Sequence, residues 1–135
     1  MPYGKYNENA LPIEFNLVDE DAITQNRYWR REFALYYLDD EGVETLWELD
    51  GAVSGAYCTV KPSYDEPYVI FAHTSNGKVI LGDASDGFSF AIELQHTDTN
   101  SLDDWGTGVW DIYILDSGRQ IPLYFGTAEM LRNAT

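Results

Sequence analysis

The sequence predicts an all-β protein, a single antiparallel β-sandwich of about seven to nine strands, Ig-like or jelly-roll-like, with at most one short helical turn. Three observations predict it. Apolar residues recur with period two in short runs, Gly, Asp, Asn and Pro punctuate those runs about every 8–12 residues, and helical spacing is scarce. A length of 135 residues suits one domain. With 44% apolar and 15% aromatic residues, the chain has enough side-chain volume for one core. Residues 1–10 are polar and Tyr-rich and read as a flexible N-terminal arm, with residues 11–135 forming the sandwich.

The first run is Ile13, Phe15 and Leu17. Next, Trp29, Arg31, Phe33, Leu35 and Tyr37 alternate with Tyr28, Arg30, Glu32, Ala34 and Tyr36 before the breaker Asp39-Asp40-Glu41-Gly42. One face of that strand is apolar, and the other mixes charge with Tyr and meets water or a partner. Residues 43–49 carry Trp47 and end at the turn dipeptide Asp50-Gly51. Residues 57–61 form a strand, Pro62 and Pro67 bracket a surface loop because proline cannot donate to a ladder, and residues 68–72 return as strand. Asn76-Gly77 then predicts a type I′ hairpin into Lys78-Val79-Ile80-Leu81.

Phe88, Phe90, Ile92 and Leu94 alternate with Ser89, Ala91 and Glu93, the clearest half-buried strand. Residues 97–105 break the pattern, and Thr99-Asn100-Ser101-Leu102-Asp103 predicts a single helical turn capped by a hydroxyl. Trp110, Ile112 and Ile114 resume alternation opposite Val109, Asp111, Tyr113 and Leu115. Asp116-Ser117-Gly118 is the next hairpin loop. In the last strand, residues 120–130, Pro122 predicts an edge position or a bulge.

Eight Lys and Arg against 23 Asp and Glu leave a formal charge of −15. A duplex binder needs clustered cations, and the one local cluster, Arg27, Arg30 and Arg31, is surrounded by acids, so nucleic acid is excluded as a partner. Anionic lipid is repelled by the same field. No run approaches the roughly 20 apolar residues of a membrane span, so no membrane partner is expected. The single Cys58 permits no intrachain disulfide and reads as a small core residue.

In the second half the turns follow a recurring order: Leu49-Asp50-Gly51-Ala52, Val60-Lys61-Pro62, Asn76-Gly77-Lys78-Val79-Ile80-Leu81-Gly82 and residues 88–94. Thr99-Asn100-Ser101-Leu102, Gly108-Val109-Trp110-Asp111-Ile112, Asp116-Ser117-Gly118 and Leu123-Tyr124-Phe125-Gly126 complete it. Over residues 11–130 this resembles a group of small tailed-phage and prophage virion structural proteins, similar to the N-terminal β-sandwich domain of phage baseplate upper proteins. Asp50 departs from that pattern where Thr is usual, as do the insertion Asp103-Asp104-Trp105-Gly106-Thr107 and the weak β character of residues 128–131. The resemblance implies a non-catalytic structural role on the tail, baseplate, fibre or capsid of a virion assembled in the host cytoplasm, often as a homo-oligomer. Its partners would be other virion proteins. It implies no catalytic residues.

The residues agree. Glu32, Glu48 and Glu93 sit on strands with nothing to pair them for acid–base work. His73 and His96 lack a second ligand at metal spacing. Asp83-Ala84-Ser85-Asp86-Gly87 is an incomplete calcium loop that reads as a tight turn. No catalytic residue, metal ligand or cofactor is expected. Trp29, Trp47 and Trp110 fit apolar strand faces, whereas Trp105, in an acidic loop, is either an inward anchor or an interface hot spot. Tyr3, Tyr6, Tyr28, Tyr64 and Tyr68 stand in loops or on mixed faces and join Trp105 as interface candidates, because tyrosine buries area yet keeps a polar tip. A capsid decoration protein and a carbohydrate-binding module are the alternatives, the latter requiring an exposed coplanar pair of aromatics.

Overall fold

The structure, a computed structural model, describes residues 11–100, 102 and 106–132. It is all-β. Among the described residues eleven strands run in chain order: β1 Ile13–Glu14, β2 Ile23–Thr24, β3 Trp29–Phe33, β4 Tyr36–Leu38, β5 Glu44–Leu46, β6 Gly55–Lys61, β7 Ile70–His73, β8 Val79–Leu81, β9 Phe90–Leu94, β10 Thr107–Asp116 and β11 Arg119–Leu131. One helical turn, α1 (His96–Thr99), and two 3-10 turns, Asp19–Asp21 and Thr74–Asn76, complete the described elements.

Period-two burial organises the sandwich. On β10, Trp110, Ile112 and Ile114 are buried while Val109, Asp111, Tyr113 and Leu115 are not. The larger sheet has the order β1-β11-β10-β6-β7, with β2 also pairing β11, and the smaller has the order β3-β9-β8. Aromatic rings join the two across the core. Phe33 stacks on Phe90 at 4.7 Å and meets Tyr124 at 5.1 Å and Trp110 at 5.8 Å. Leu49, Ala56, Ala72, Phe90, Ile114 and Leu123 are fully enclosed.

Several local expectations change in three dimensions. The strand count exceeds seven to nine because the run at residues 13–17 and the segment at residues 23–24 form two-residue pieces that lie parallel to β11, which makes the large sheet mixed rather than wholly antiparallel. The run from Tyr28 to Tyr37 is two strands. It breaks after Phe33, where the Leu35 N–H donates to the Ser89 hydroxyl instead of to a ladder (2.9 Å).

Asn76-Gly77 is not a hairpin, since β7 belongs to the large sheet and β8 to the small one. Only Gly77 takes a left-handed conformation, with Asn76 accepting from the main chain of His73 and Lys78, so the turn carries the chain between layers. The helical turn comes earlier than expected, beginning at His96, and is capped by Asp98, whose carboxylate accepts the Gln95 N–H at 2.7 Å. β9, the central strand of its sheet, is buried on both sides at Phe90, Ala91 and Ile92 rather than on one. Pro122 does mark a register shift between β10 and β11, and Ser117 and Gly118 both take positive φ in the tight loop joining those strands.

Candidate functional site

The outward side of the large sheet gathers aromatic residues. Because Ala56, Cys58 and Val60 of β6 face the core, Tyr57, Thr59 and Lys61 face out. Register then places Tyr113 of β10 opposite Tyr57, and Tyr57 opposite His73 of β7. The Tyr57 and Tyr113 rings stack at 5.3 Å with planes 22° apart, and Tyr57 and His73 stack at 6.0 Å. Phe71 continues the row at 4.7 Å from His73, and Tyr68 ends it at 5.2 Å from Phe71. Cross-strand aromatic pairs of this kind stabilise a sheet and also present a broad, rigid surface.

Beside the row lies a shallow depression of about 100 Å³ lined by Thr59, Lys61, Tyr64, Val109, Trp110, Asp111 and Phe125. Its floor is ordered by the Thr59 hydroxyl, which donates to the Asp111 carboxylate at 2.9 Å. Ligand pockets typically enclose about 300–1,000 Å³, so a space this small suits one inserted side chain. Tyr64, 78% exposed, and Phe125, 40% exposed, form its raised margins. The charge here is unlike that of the whole molecule. Among the outward side chains of β6, β7 and β10 there is one carboxylate, Asp111, and one ammonium, Lys61, in a chain of net charge −15.

Of the six sequence-predicted interface residues, Tyr64 and Tyr68 stand together on the loop that borders this face. Tyr28 is 56% exposed but lies apart, beside the smaller sheet, where its hydroxyl donates to Glu93 at 2.8 Å. Tyr3, Tyr6 and Trp105 lie outside the described residues. Sequence reasoning missed Tyr57, Phe71, Tyr113 and Phe125 as a group. The available signal for Tyr57, Phe71 and Tyr113 was parity, since each stands on the odd side of a strand whose even side is apolar, whereas on β11 the parity reverses at the register shift before Phe125.

Several titratable groups away from this face are engaged with one another or with the main chain. Glu93 holds Arg30 at 2.7 Å, and Arg30 also reaches Glu32 at 3.2 Å. The Tyr28 hydroxyl and the Arg30 guanidinium keep Glu93 below the usual carboxylate range. Arg31 pairs with Asp21 at 2.9 Å, so two of the three clustered arginines are neutralised within the chain. Glu48 accepts the Ala84 N–H at 2.7 Å. Asp83 accepts from Ser85 and Asp86 as the anchor of its turn, and these bonds lower its pKa. Burial pushes the Cys58 thiol up, with Asp111 adding to the shift. No three His, Cys, Asp or Glu among the described residues are placed to hold a metal ion, and no described helix is long and apolar enough to cross a membrane. Comparison with protein-family models and with curated protein sequences finds no match.

Proposed function

We propose that this chain is a non-catalytic structural component of a tailed-phage particle, a tail, baseplate or fibre-attachment protein that binds neighbouring virion proteins through the outward face of its large sheet. The observation that carries the docking role is the half-buried outward row Tyr113–Tyr57–His73–Phe71, ending at the exposed Tyr68, with its adjoining depression. Contiguous aromatic surface rimmed by polar groups is characteristic of protein contact. The order of turns resembling phage baseplate proteins supports the virion setting, where the chain acts as a homo-oligomer. A capsid decoration protein would use the same face on a different neighbour.

Carbohydrate binding is less well supported. A sugar stacks on ring faces that lie open in one plane, and Tyr57 and Tyr113 turn their faces to each other. The test is mass spectrometry of particles purified from the strain that carries the gene, complemented with wild-type chain or with Tyr57→Ser/Tyr113→Ser. The wild type is expected in particles at a stoichiometric level, and the double variant, still folded by circular dichroism, at least about tenfold less, equivalent to about 1.4 kcal/mol of contact energy. Absence of the wild type from particles would refute the virion role, and equal incorporation would refute the docking face.

A further inference from the structure

A second surface, separate from the sheet face, has a different chemistry. The strands β4 and β5 pair only with each other among the described residues, Tyr36 with Leu46, Tyr37 with Thr45 and Leu38 with Glu44. The hairpin is anchored at its base. Leu35 and Trp47 are buried, the Trp47 N–H donates to the Leu35 carbonyl at 2.7 Å, and Tyr37 packs on the core. Its tip is ordered as well. Asp39 accepts the N–H groups of Glu41 and Val43 through its carboxylate, both at 2.9 Å, while its own N–H donates to the Val43 carbonyl at 3.0 Å.

This held hairpin nevertheless presents apolar side chains to water. Tyr36 is 41% exposed, Leu38 53% and Val43 55%, three of the eight large exposed hydrophobic residues among the described residues. Tyr36 and Leu38 share one face because they stand two apart on a strand. The sequence of the hairpin is acidic. Asp39, Asp40, Glu41 and Glu44 lie on the hairpin, and no Lys or Arg occurs between Arg31 and Lys61.

From this juxtaposition we infer that the β4–β5 hairpin is a second docking element, and that its occupant is a segment of a different protein that flanks an apolar stripe with Lys or Arg. Charge complementarity selects that occupant, since such a partner gains both from covering Tyr36 and Leu38 and from meeting Glu41 and Glu44. A second copy does not fit. The chain has eight cations against 23 acids, and Arg30, Arg31 and Lys78 are already bound to its own carboxylates. With a near-neutral aromatic sheet face and an acidic apolar hairpin on one small domain, the protein has the surfaces of a connector between two unlike neighbours.

The test uses the full chain and a synthetic amphipathic peptide of Leu and Lys, with a Leu/Glu peptide as control, in titration calorimetry at low salt. The Leu/Lys peptide is expected to bind and the control is not. Tyr36→Ser/Leu38→Ser should weaken binding about tenfold, because it removes apolar area and no charge. Glu41→Lys/Glu44→Lys should abolish binding, whereas Glu20→Lys/Asp65→Lys, the same change of net charge elsewhere, should alter it less than about twofold. Tyr57→Ser/Tyr113→Ser should leave it unchanged, so this result stands or falls independently of the sheet face. Lack of binding by the wild type, equal losses in the two charge-reversed variants, or full binding by Tyr36→Ser/Leu38→Ser would overturn the inference. So would a wild-type dimer in sedimentation that Leu38→Ser dissolves, since it would seat a second copy on the hairpin.

Discussion

The indole nitrogen of Trp110 donates a hydrogen bond to the main-chain carbonyl of Phe15 at 2.7 Å. This bond ties the N-terminal segment to the centre of the large sheet, because Phe15 follows β1 and its N–H donates in turn to the Phe125 carbonyl of β11 at 2.9 Å. Trp110→Phe keeps most of the buried ring and removes the donor. Leaving that carbonyl without its partner costs about 1–3 kcal/mol, to be read from urea unfolding. A loss no larger than that of an exposed substitution would show that the bond is replaced by water.

Gly126 stands opposite Trp110 in the β10–β11 register, and a methyl group there would run into the same Phe15 carbonyl and the Asn16 side chain. Gly126→Ala is therefore expected to destabilise by about 1–3 kcal/mol despite the better strand propensity of alanine, since overpacking against backbone has no cheap relief. Gly42, at the tip of the acidic hairpin, offers open space to a methyl but has a positive φ of 78°. Its replacement by Ala should cost less, about 1 kcal/mol, which a paired denaturation experiment would check.

Glu93 makes acid stability partly predictable. Hydrogen bonds from Tyr28 and then Arg30 lower its folded pKa. A carboxyl whose pKa falls on folding contributes stability that is fully present above its unfolded value, near 4.5, and that is lost as pH drops through the lower folded value. Glu93→Gln should therefore lose about 1 kcal/mol at neutral pH, with the difference from wild type shrinking below pH 4.5. Parallel stability curves down to strong acid would contradict the linkage.

Cys58 is buried between Ala56 and Val60 on the inward side of β6, and its thiol pKa is raised. The thiolate is the reactive form, so native protein should resist a disulfide reagent until it unfolds. Modification at neutral pH should follow the global unfolding rate. Fast labelling of folded protein would mean that the sheet opens locally at β6.

Much of the fold was legible because alternation is a local property of a strand. Phe33, Leu35, Trp110, Ile112 and Ile114 are buried where period two puts them, and Cys58 lies in the core as its strand requires. The Ser117-Gly118 loop and the irregularity at Pro122 followed from backbone chemistry alone. Other features depended on partners distant in sequence. The break after Phe33 needs the Ser89 hydroxyl, and the fate of Asn76-Gly77 depends on β7 and β8 having joined different sheets. Two exposed tyrosines, Tyr64 and Tyr68, could be picked out as loop residues, but the row to which Tyr68 belongs could not. Tyr57 and Tyr113 become neighbours only through the β6–β10 register.

What the sequence determined by itself was the all-β class, the faces of its longer strands and its overall negative charge, because these depend on residue type and nearest spacing. Tertiary structure alone decided which strands share a sheet, which outward aromatics form one surface, and that, among the described residues, the β4–β5 hairpin pairs with neither sheet. Those are matters of long-range pairing, whose energy comes from contacts that exist only once the chain has closed on itself.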